Sequence, residues 1–345
     1  MRIGLGINYA GGFKEVAAEV ADLERAGLDI VFVPEAYSFD AVSALGYLAA
    51  STQRVELASG ILQLYTRTPT LTAMTAAGLD YVSDGRFILG LGASGPQVIE
   101  GFHGVPYDAP IARTREVIEI CRKVWRRERL EYRGEHYTIP LPAEQGTGLG
   151  KALKLINQPV RERIPILVAA LGPKNVELAA EICEGWQPIF FLPERAHDVW
   201  GKALAAGRAK RDPALGELDV YAGPALAIGE NVEPLRESVK PQLALYIGGM
   251  GAKGKNFYHT LATSYGYGPQ ADRIQELYLA GDKDGAAKVV PDELVRDVNL
   301  IGSPGFVKER LAAYREAGVT TLNVVPIAAT PAERIKLIEK LRQLV

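Results

Sequence analysis

Short apolar, β-branched runs alternate along the chain with segments whose apolar positions recur at helical spacing, the pattern of parallel strands joined by crossover helices. The runs fall near residues 2–7, 30–35, 55–62, 87–92, 164–170, 187–191, 219–228 and 320–326. The helical segments fall near 13–27, 39–52, 69–83, 111–127, 174–184, 194–210, 231–247 and 330–344. Eight strand–helix units close naturally into a (β/α)8 TIM barrel, whereas an open doubly wound sheet more often stops at about five to seven strands. The 345 residues are therefore expected to form one α/β barrel domain spanning 1–345, with insertions after strands 4 and 7. The first insertion, 128–163, reads as a hairpin followed by a mobile, glycine-rich loop from Gly146 to Gly150. The second, 248–318, carries a glycine- and lysine-rich stretch, an aromatic run from Phe257 to Tyr267 and a helix expected over Pro304–Ala317. In a barrel both overhang the C-terminal face, where active sites lie.

Two of the apolar runs break at glycine. Residues 87–97 read Phe-Ile-Leu-Gly-Leu-Gly-Ala-Ser-Gly-Pro-Gln, and 164–173 read Ile-Pro-Ile-Leu-Val-Ala-Ala-Leu-Gly-Pro. Small residues just past a strand let a backbone approach a ligand closely, and the first amides of the following helix point at anions. Taken singly, each break is more simply an ordinary turn. Two on one sheet point to a phosphorylated cofactor. The third run, 55–63, contains Gly60 and Ile61 and ends on Gln63. Glycine inside a strand marks a bulge, a close ligand approach or a tight bend, so Gly60 with Ile61 is a candidate wall for a flat ring. Glu35 closes the second strand, where a barrel carboxylate projects into the mouth unless a neighbouring loop binds it. Tyr37 follows two residues on, as a hydroxyl or as apolar packing.

Charge narrows the partners. The formal net charge of −2, from 39 basic and 41 acidic residues, provides no basic field for nucleic acid or an anionic membrane. No apolar stretch reaches about 18 uncharged residues, and the N-terminus lacks a long apolar core with a cleavage site, so a cytoplasmic protein is expected. Cys121 and Cys183 fall in helical patterns as small buried hydrophobes, and His103, His136, His197 and His259 lack metal-ligand spacing. No metal is expected. The helices near 39–52 and 69–83 carry little charge beyond Asp40 and Asp80. A helix apolar on most sides is buried on most sides, which points to a homodimer through this pair or to cover by an insertion of the same chain.

The combination Glu-Ala-Tyr at 35–37, Ser-Asp-Gly-Arg-Phe at 83–87, Leu-Gly-Leu-Gly-Ala-Ser-Gly-Pro-Gln-Val at 89–98 and Ala-Ala-Leu-Gly-Pro at 169–173 resembles the bacterial luciferase-like superfamily over nearly the whole chain. Within it the chain resembles the F420-dependent oxidoreductases, which include methylenetetrahydromethanopterin reductase and F420-dependent glucose-6-phosphate dehydrogenase. The resemblance implies a barrel with the deazaflavin at the C-terminal end of its strands. A bulge with a non-prolyl cis peptide would back the ring at Gly60 and Ile61, with Gln63 beside it, and the two turns would hold the phosphate-bearing tail at Gly92, Ala93, Ser94, Gly95 and Pro96 and at Ala170, Leu171, Gly172 and Pro173. Several members place an Asp-His pair at the end of strand two. Here Glu35 is followed by Ala36, so that histidine's role does not transfer. The chain also lacks a tight basic cluster for a sugar phosphate.

The expected activity is hydride transfer between C5 of F420 and a small organic substrate, with Glu35 as the candidate for proton transfer or substrate orientation and Tyr37 second. An FMN-dependent luciferase-like monooxygenase and a non-catalytic flavin-binding protein are the alternatives.

Overall fold

Residues Ile30–Val33 are buried on both faces: Ile30 and Phe32 join a cluster with Ala58, Ile88, Leu167 and Tyr221, while Val31 and Val33 join the large core beneath the helices. A strand apolar on both faces is a stave of a helix-wrapped barrel. In the computed structural model, which describes residues 1–7, 12–251 and 253–345, the staves are β1 (Arg2–Gly6), β2 (Ile30–Val33), β3 (Glu56–Ser59), β4 (Phe87–Gly92), β5 (Ile166–Ala169), β6 (Gly185–Gln187), β7 (Asp219–Ala222) and β8 (Thr321–Pro326). Each pairs in parallel with the next, and β8 pairs with β1 to close the ring. The fold is the expected (β/α)8 barrel.

Around it lie α1 (Phe13–Arg25), α2 (Ala41–Ser51), α3 (Pro69–Val82), α4 (Pro110–Trp125), α5 (Pro173–Ile182), α6 (Pro193–Arg208), α7 (Pro304–Glu316) and α8 (Pro331–Leu344). Proline opens α3 through α8, where its missing N–H is an orphan donor of the helix in any case. Cys121 and Cys183 are buried, as expected. Among the described residues no helix is long and apolar enough to cross a membrane.

Three departures from the sequence pattern have local causes. The sixth strand occupies Gly185–Gln187 rather than 187–191, because Pro188 cannot donate to a ladder and the chain leaves the sheet there. The helix expected over 231–247 breaks into a 3₁₀ segment Glu233–Val239, a short α-helix Lys240–Ala244 and a π-helical turn Leu245–Gly249; Pro234 and Pro241 each remove a donor from a continuous ladder. The second insertion also returns a strand, Leu300–Gly302, which pairs with Ala225–Ile228. That last segment continues β7 in the same register along β8 beyond Gly223 and Pro224, so the single run expected at 219–228 is present with one interruption. The first insertion contains the expected hairpin, Tyr132–Arg133 against Thr138–Ile139.

The third stave positions the site. Leu57 and Ala58 face Phe87 and Ile88, whereas Leu62 and Gln63 face Leu91 and Gly92. Three residues, Ser59 to Ile61, thus oppose two, which is a β-bulge, and the Gly60–Ile61 peptide within it is cis. Ser59, fully buried, restores the broken ladder: its hydroxyl accepts from the Gly90 amide at 2.8 Å and donates to the Gly90 carbonyl at 2.9 Å. A Cβ on Gly90 would strike the Ser59 carbonyl oxygen. Gly90→Ala should therefore cost about 3 kcal/mol or more, and Ser59→Ala, which leaves two buried backbone groups unpaired, about 1–3 kcal/mol. Urea denaturation checks both; midpoints equal to that of the unmodified protein would contradict this account of the bulge.

Candidate active site

Phe32 plugs the barrel from below. Its ring lies where a Cβ on Gly4 would approach to 2.7 Å, and its own Cβ lies 3.1 Å from a Cβ built on Gly60. Towards the C-terminal end, alternation brings Gly6, Gly90 and Gly92 to the inner face, so no side chain from β1 or β4 fills the mouth. Ile61 lies across Gly92, where a Cβ would meet its side chain at 2.9 Å. Around this space several polar atoms are buried and unpaired among the described residues: both amide atoms of Gln63, Oε1 of Gln187 and Oδ1 of Asn323. Each such atom costs about 1–3 kcal/mol if nothing satisfies it. Their gathering at one end of the barrel fits a bound polar molecule that supplies the missing partners.

The two glycine turns also fit a ligand. Gly95 (φ −127°, ψ 156°) and Gly172 (φ −68°, ψ 145°) have backbone conformations that any residue adopts, so conformation does not require glycine. Neither has an atom within 4 Å of the position a Cβ would take, so packing within the chain does not require it either. What remains is room for something outside the chain. Ser94, just before Gly95, is left-handed at φ 58°, and its carbonyl accepts from the Tyr107 hydroxyl at 3.3 Å. Two indoles pin the second turn: Trp186 donates to the Ala170 carbonyl at 2.9 Å and Trp200 to the Leu171 carbonyl at 3.0 Å. In the first turn of α5, Asn175 has a buried Oδ1 with no partner among the described residues.

Glu35 is engaged elsewhere. Arg67 grips both its carboxylate oxygens, at 2.6 and 2.9 Å, and the Ala41 amide at the start of α2 adds a third bond at 2.9 Å. The pair is largely buried, with side-chain exposures of 13% for Arg67 and 8% for Glu35. Tyr37 is exposed at the rim, its ring 6.2 Å from that of Phe102. At the opposite, N-terminal face a cavity of about 750 Å³ is lined by four arginines and three carboxylates, but Arg2 pairs with Glu56, Arg342 pairs with Asp29, and Glu24 accepts the amides of Gln53, Arg54 and Val55. Those groups close the bottom of the barrel.

A model of the luciferase-like monooxygenase family matches residues 1–321. The chain belongs to that family. A putative coenzyme F420-dependent oxidoreductase of Mycobacterium tuberculosis is 43% identical over 344 residues, 97% of each chain. A 5,10-methylenetetrahydromethanopterin reductase of Archaeoglobus fulgidus is 27% identical over 348 residues, again 97% of each. The solved structure of the coenzyme F420-dependent tetrahydromethanopterin reductase from Methanopyrus kandleri superposes with a TM-score of 0.81 at 23% identity, covering 100% of this chain and 98% of that one.

In this luciferase-like barrel the residues Gly60, Ile61, Gln63 and Gly92 lie at one mouth, and the turns at 93–96 and 170–173 leave neighbouring strands there. Of the two expectations for Glu35, the bonds match the one in which a neighbouring loop holds it: three donors occupy its two oxygens, so taking a substrate proton would mean breaking the Arg67 pair, and it clamps the β2 loop to α2 and Arg67. Arg67, Ser59, Gln187, Trp186 and Trp200 were not legible as parts of the site, because each acts through a backbone or partner that sequence spacing does not reveal. Arg67→Met should cost about 3–5 kcal/mol by leaving the carboxylate buried and unpaired, and the double variant Glu35→Gln/Arg67→Met should recover most of that loss. A single variant as stable as the unmodified protein in urea would contradict the clamp.

Proposed function

We propose that the protein is an F420-dependent oxidoreductase acting on a small organic substrate. The observation that carries ligand binding is the coincidence, at one mouth, of the unpaired Gln63 and Gln187 with two glycine turns beside open space. The choice of F420 rests on the relative that shares 43% of its residues over nearly the full length. Bound F420 would supply hydride chemistry at C5 of its deazaflavin. Ile61 and the Gly60 backbone would back the ring, Gln63 would hydrogen-bond its polar edge, and the amides near Gly95 and Gly172 would take the anionic tail. Glu35 would hold the mouth's shape through Arg67, and Tyr37 would stand at the rim on the substrate side. These residues place two carbons and exclude water, which is the protein's share of such a reaction.

Parallel fluorescence titrations with F420 and FMN test the reading. F420 is expected to bind at least about tenfold more tightly than FMN, and Gly95→Val or Gly172→Val to weaken F420 by about tenfold or more with the fold intact. Preference for FMN would favour the oxygen-using branch of the family, and unchanged affinity in both valine variants would remove the turns from the site.

We also propose a homodimer through α2 and α3. Ala44 and Ala76 face the protein's own core, but Tyr47, Leu71, Met74, Tyr81 and Val82 stand exposed on this helix pair, and the described parts of the insertions leave them uncovered. A face this apolar suits a second copy of itself. Light scattering at micromolar concentration should give a dimer, and Met74→Glu a monomer; an unmodified protein that scatters as a monomer would end the proposal.

A further inference from the structure

Three aromatic side chains from distant parts of the chain meet beside the mouth. The rings of Tyr246 and Tyr258 lie 4.8 Å apart and perpendicular, and Phe190 packs edge-on against Tyr246 at 5.3 Å and Tyr258 at 6.4 Å. Phe190 sits three residues past the end of β6, in the loop that leaves Gln187. Tyr107, whose hydroxyl reaches the Ser94 carbonyl in the turn after β4, is near enough to act electrostatically on Tyr258. The cluster therefore stands at the C-terminal end of β6.

The cluster is built, and by irregular means. Tyr246 lies in the π-helical turn Leu245–Gly249, and Phe190 is left-handed at φ 50°. π-turns and left-handed non-glycine residues gather at functional sites because ordinary packing does not favour them. Specific bonds hold both in place. The buried Asn256 side chain donates to the carbonyls of Tyr246 and Ile247, each at 2.9 Å, and accepts the amides of Tyr258 and His259 at 2.9 and 3.1 Å, so one residue locks the two tyrosine-bearing segments together. The Tyr265 hydroxyl donates to the Phe190 carbonyl at 2.9 Å.

The chemistry of this wall selects a ligand class. The hydroxyls of Tyr246 and Tyr258 have no hydrogen-bond partner among the described residues, so each has a donor to offer. Burial, with the neighbouring phenols of Tyr246 and Tyr107, pushes Tyr258 up to about 12, and burial raises Tyr246 as well; both keep their protons at neutral pH. Arg113, which lies over the Tyr65 ring that packs on Tyr107, is already held by Asp108 at 2.9 and 3.1 Å. A charged group placed among these rings would lose hydration that phenols and a phenyl ring replace only in part. The anionic tail of a cofactor is better met by the open glycine turns.

We propose that Phe190, Tyr246 and Tyr258 form the substrate wall of the mouth and select an uncharged, flat carbonyl compound whose oxygen accepts a hydrogen bond from Tyr258. This rests on the oxidoreductase reading above, because it takes the space beside the ring as the substrate's. The donor role is assigned to Tyr258 and apolar contact to Tyr246 and Phe190.

The test uses 4-methoxybenzaldehyde, an uncharged flat aldehyde whose absorbance responds to hydrogen bonding at its oxygen, titrated into the full-length protein saturated with oxidised F420. Separate F420 titrations are made on the unmodified protein and on Tyr258→Phe, which keeps the ring. The unmodified protein should bind the aldehyde and shift its absorbance to longer wavelength. Tyr258→Phe should bind it about five- to tenfold more weakly with the shift lost, while its F420 affinity stays within twofold. Glucose 6-phosphate should not displace the probe. The proposal is overturned if the unmodified protein does not bind the aldehyde, if Tyr258→Phe binds it equally well, or if glucose 6-phosphate displaces it. It is also overturned if the variant loses F420 affinity instead, which would assign the tyrosines to the cofactor's tail. Failure of the unmodified protein to bind F420 at all would overturn the cofactor reading separately, and the same aldehyde titration without cofactor would then judge the wall by itself.

Discussion

The break in the third stave is the constraint on which the rest depends. A regular strand from Glu56 to Gln63 would keep its ladder and close the barrel evenly. One extra residue at Ser59–Ile61 instead swings Ile61 over Gly92 and brings the Ser59 carbonyl so close to β4 that only glycine fits at 90. The broken ladder is tolerable because Ser59 supplies, from one hydroxyl, both bonds that Gly90 would otherwise lack. Phe32 fills the space below the break. The same barrel is thus a packed core at one end and a shaped, polar-edged recess at the other, which is the division of labour this fold generally shows.

Above the recess, irregular backbone is held by polar side chains rather than by repeating structure. Trp186 and Trp200 belong to the apolar core with their rings and to the glycine turn with their indole N–H groups. Asn256 joins a π-helical turn to a short helix, and the Arg67–Glu35 pair ties the β2 loop to α2. Each of these contacts links the close-packed interior to a segment that can face a ligand, and preorganisation of that kind is what positional catalysis requires.

Much of this was legible in the sequence, and what was not has a physical reason. The staves and helices declared themselves by period, and the glycines at 60, 90, 92, 95 and 172 by their place in or after apolar runs. Pro188 and Pro234 stood in plain view, yet their effect depends on where the neighbouring ladder runs, so the sixth strand and the helix after the seventh were placed too regularly. The strand Leu300–Gly302 is three residues long, too short for alternation to register. Glu35 shows the deeper limit. Its position at the end of a strand indicated a carboxylate near the mouth, but its partner Arg67 lies 32 residues away, and only the fold shows that the carboxylate is already bound. The aromatic cluster was legible only in part: the run Phe257–Tyr267 put Tyr258 over the C-terminal face, but Phe190 and Tyr246 become its neighbours only when the chain after β7 folds back over the end of β6.

The central claim is that the recess above the bulge is completed by a deazaflavin. A crystal structure of the protein with F420 tests it most directly. The account predicts the ring against Ile61 and the Gly60–Ile61 peptide, the Gln63 side chain in hydrogen-bond contact with the ring's polar edge, and the phosphate on the amides near Gly95 or Gly172. A ring bound elsewhere, with Gln63 still unpaired and both glycine turns free of the phosphate, would contradict it.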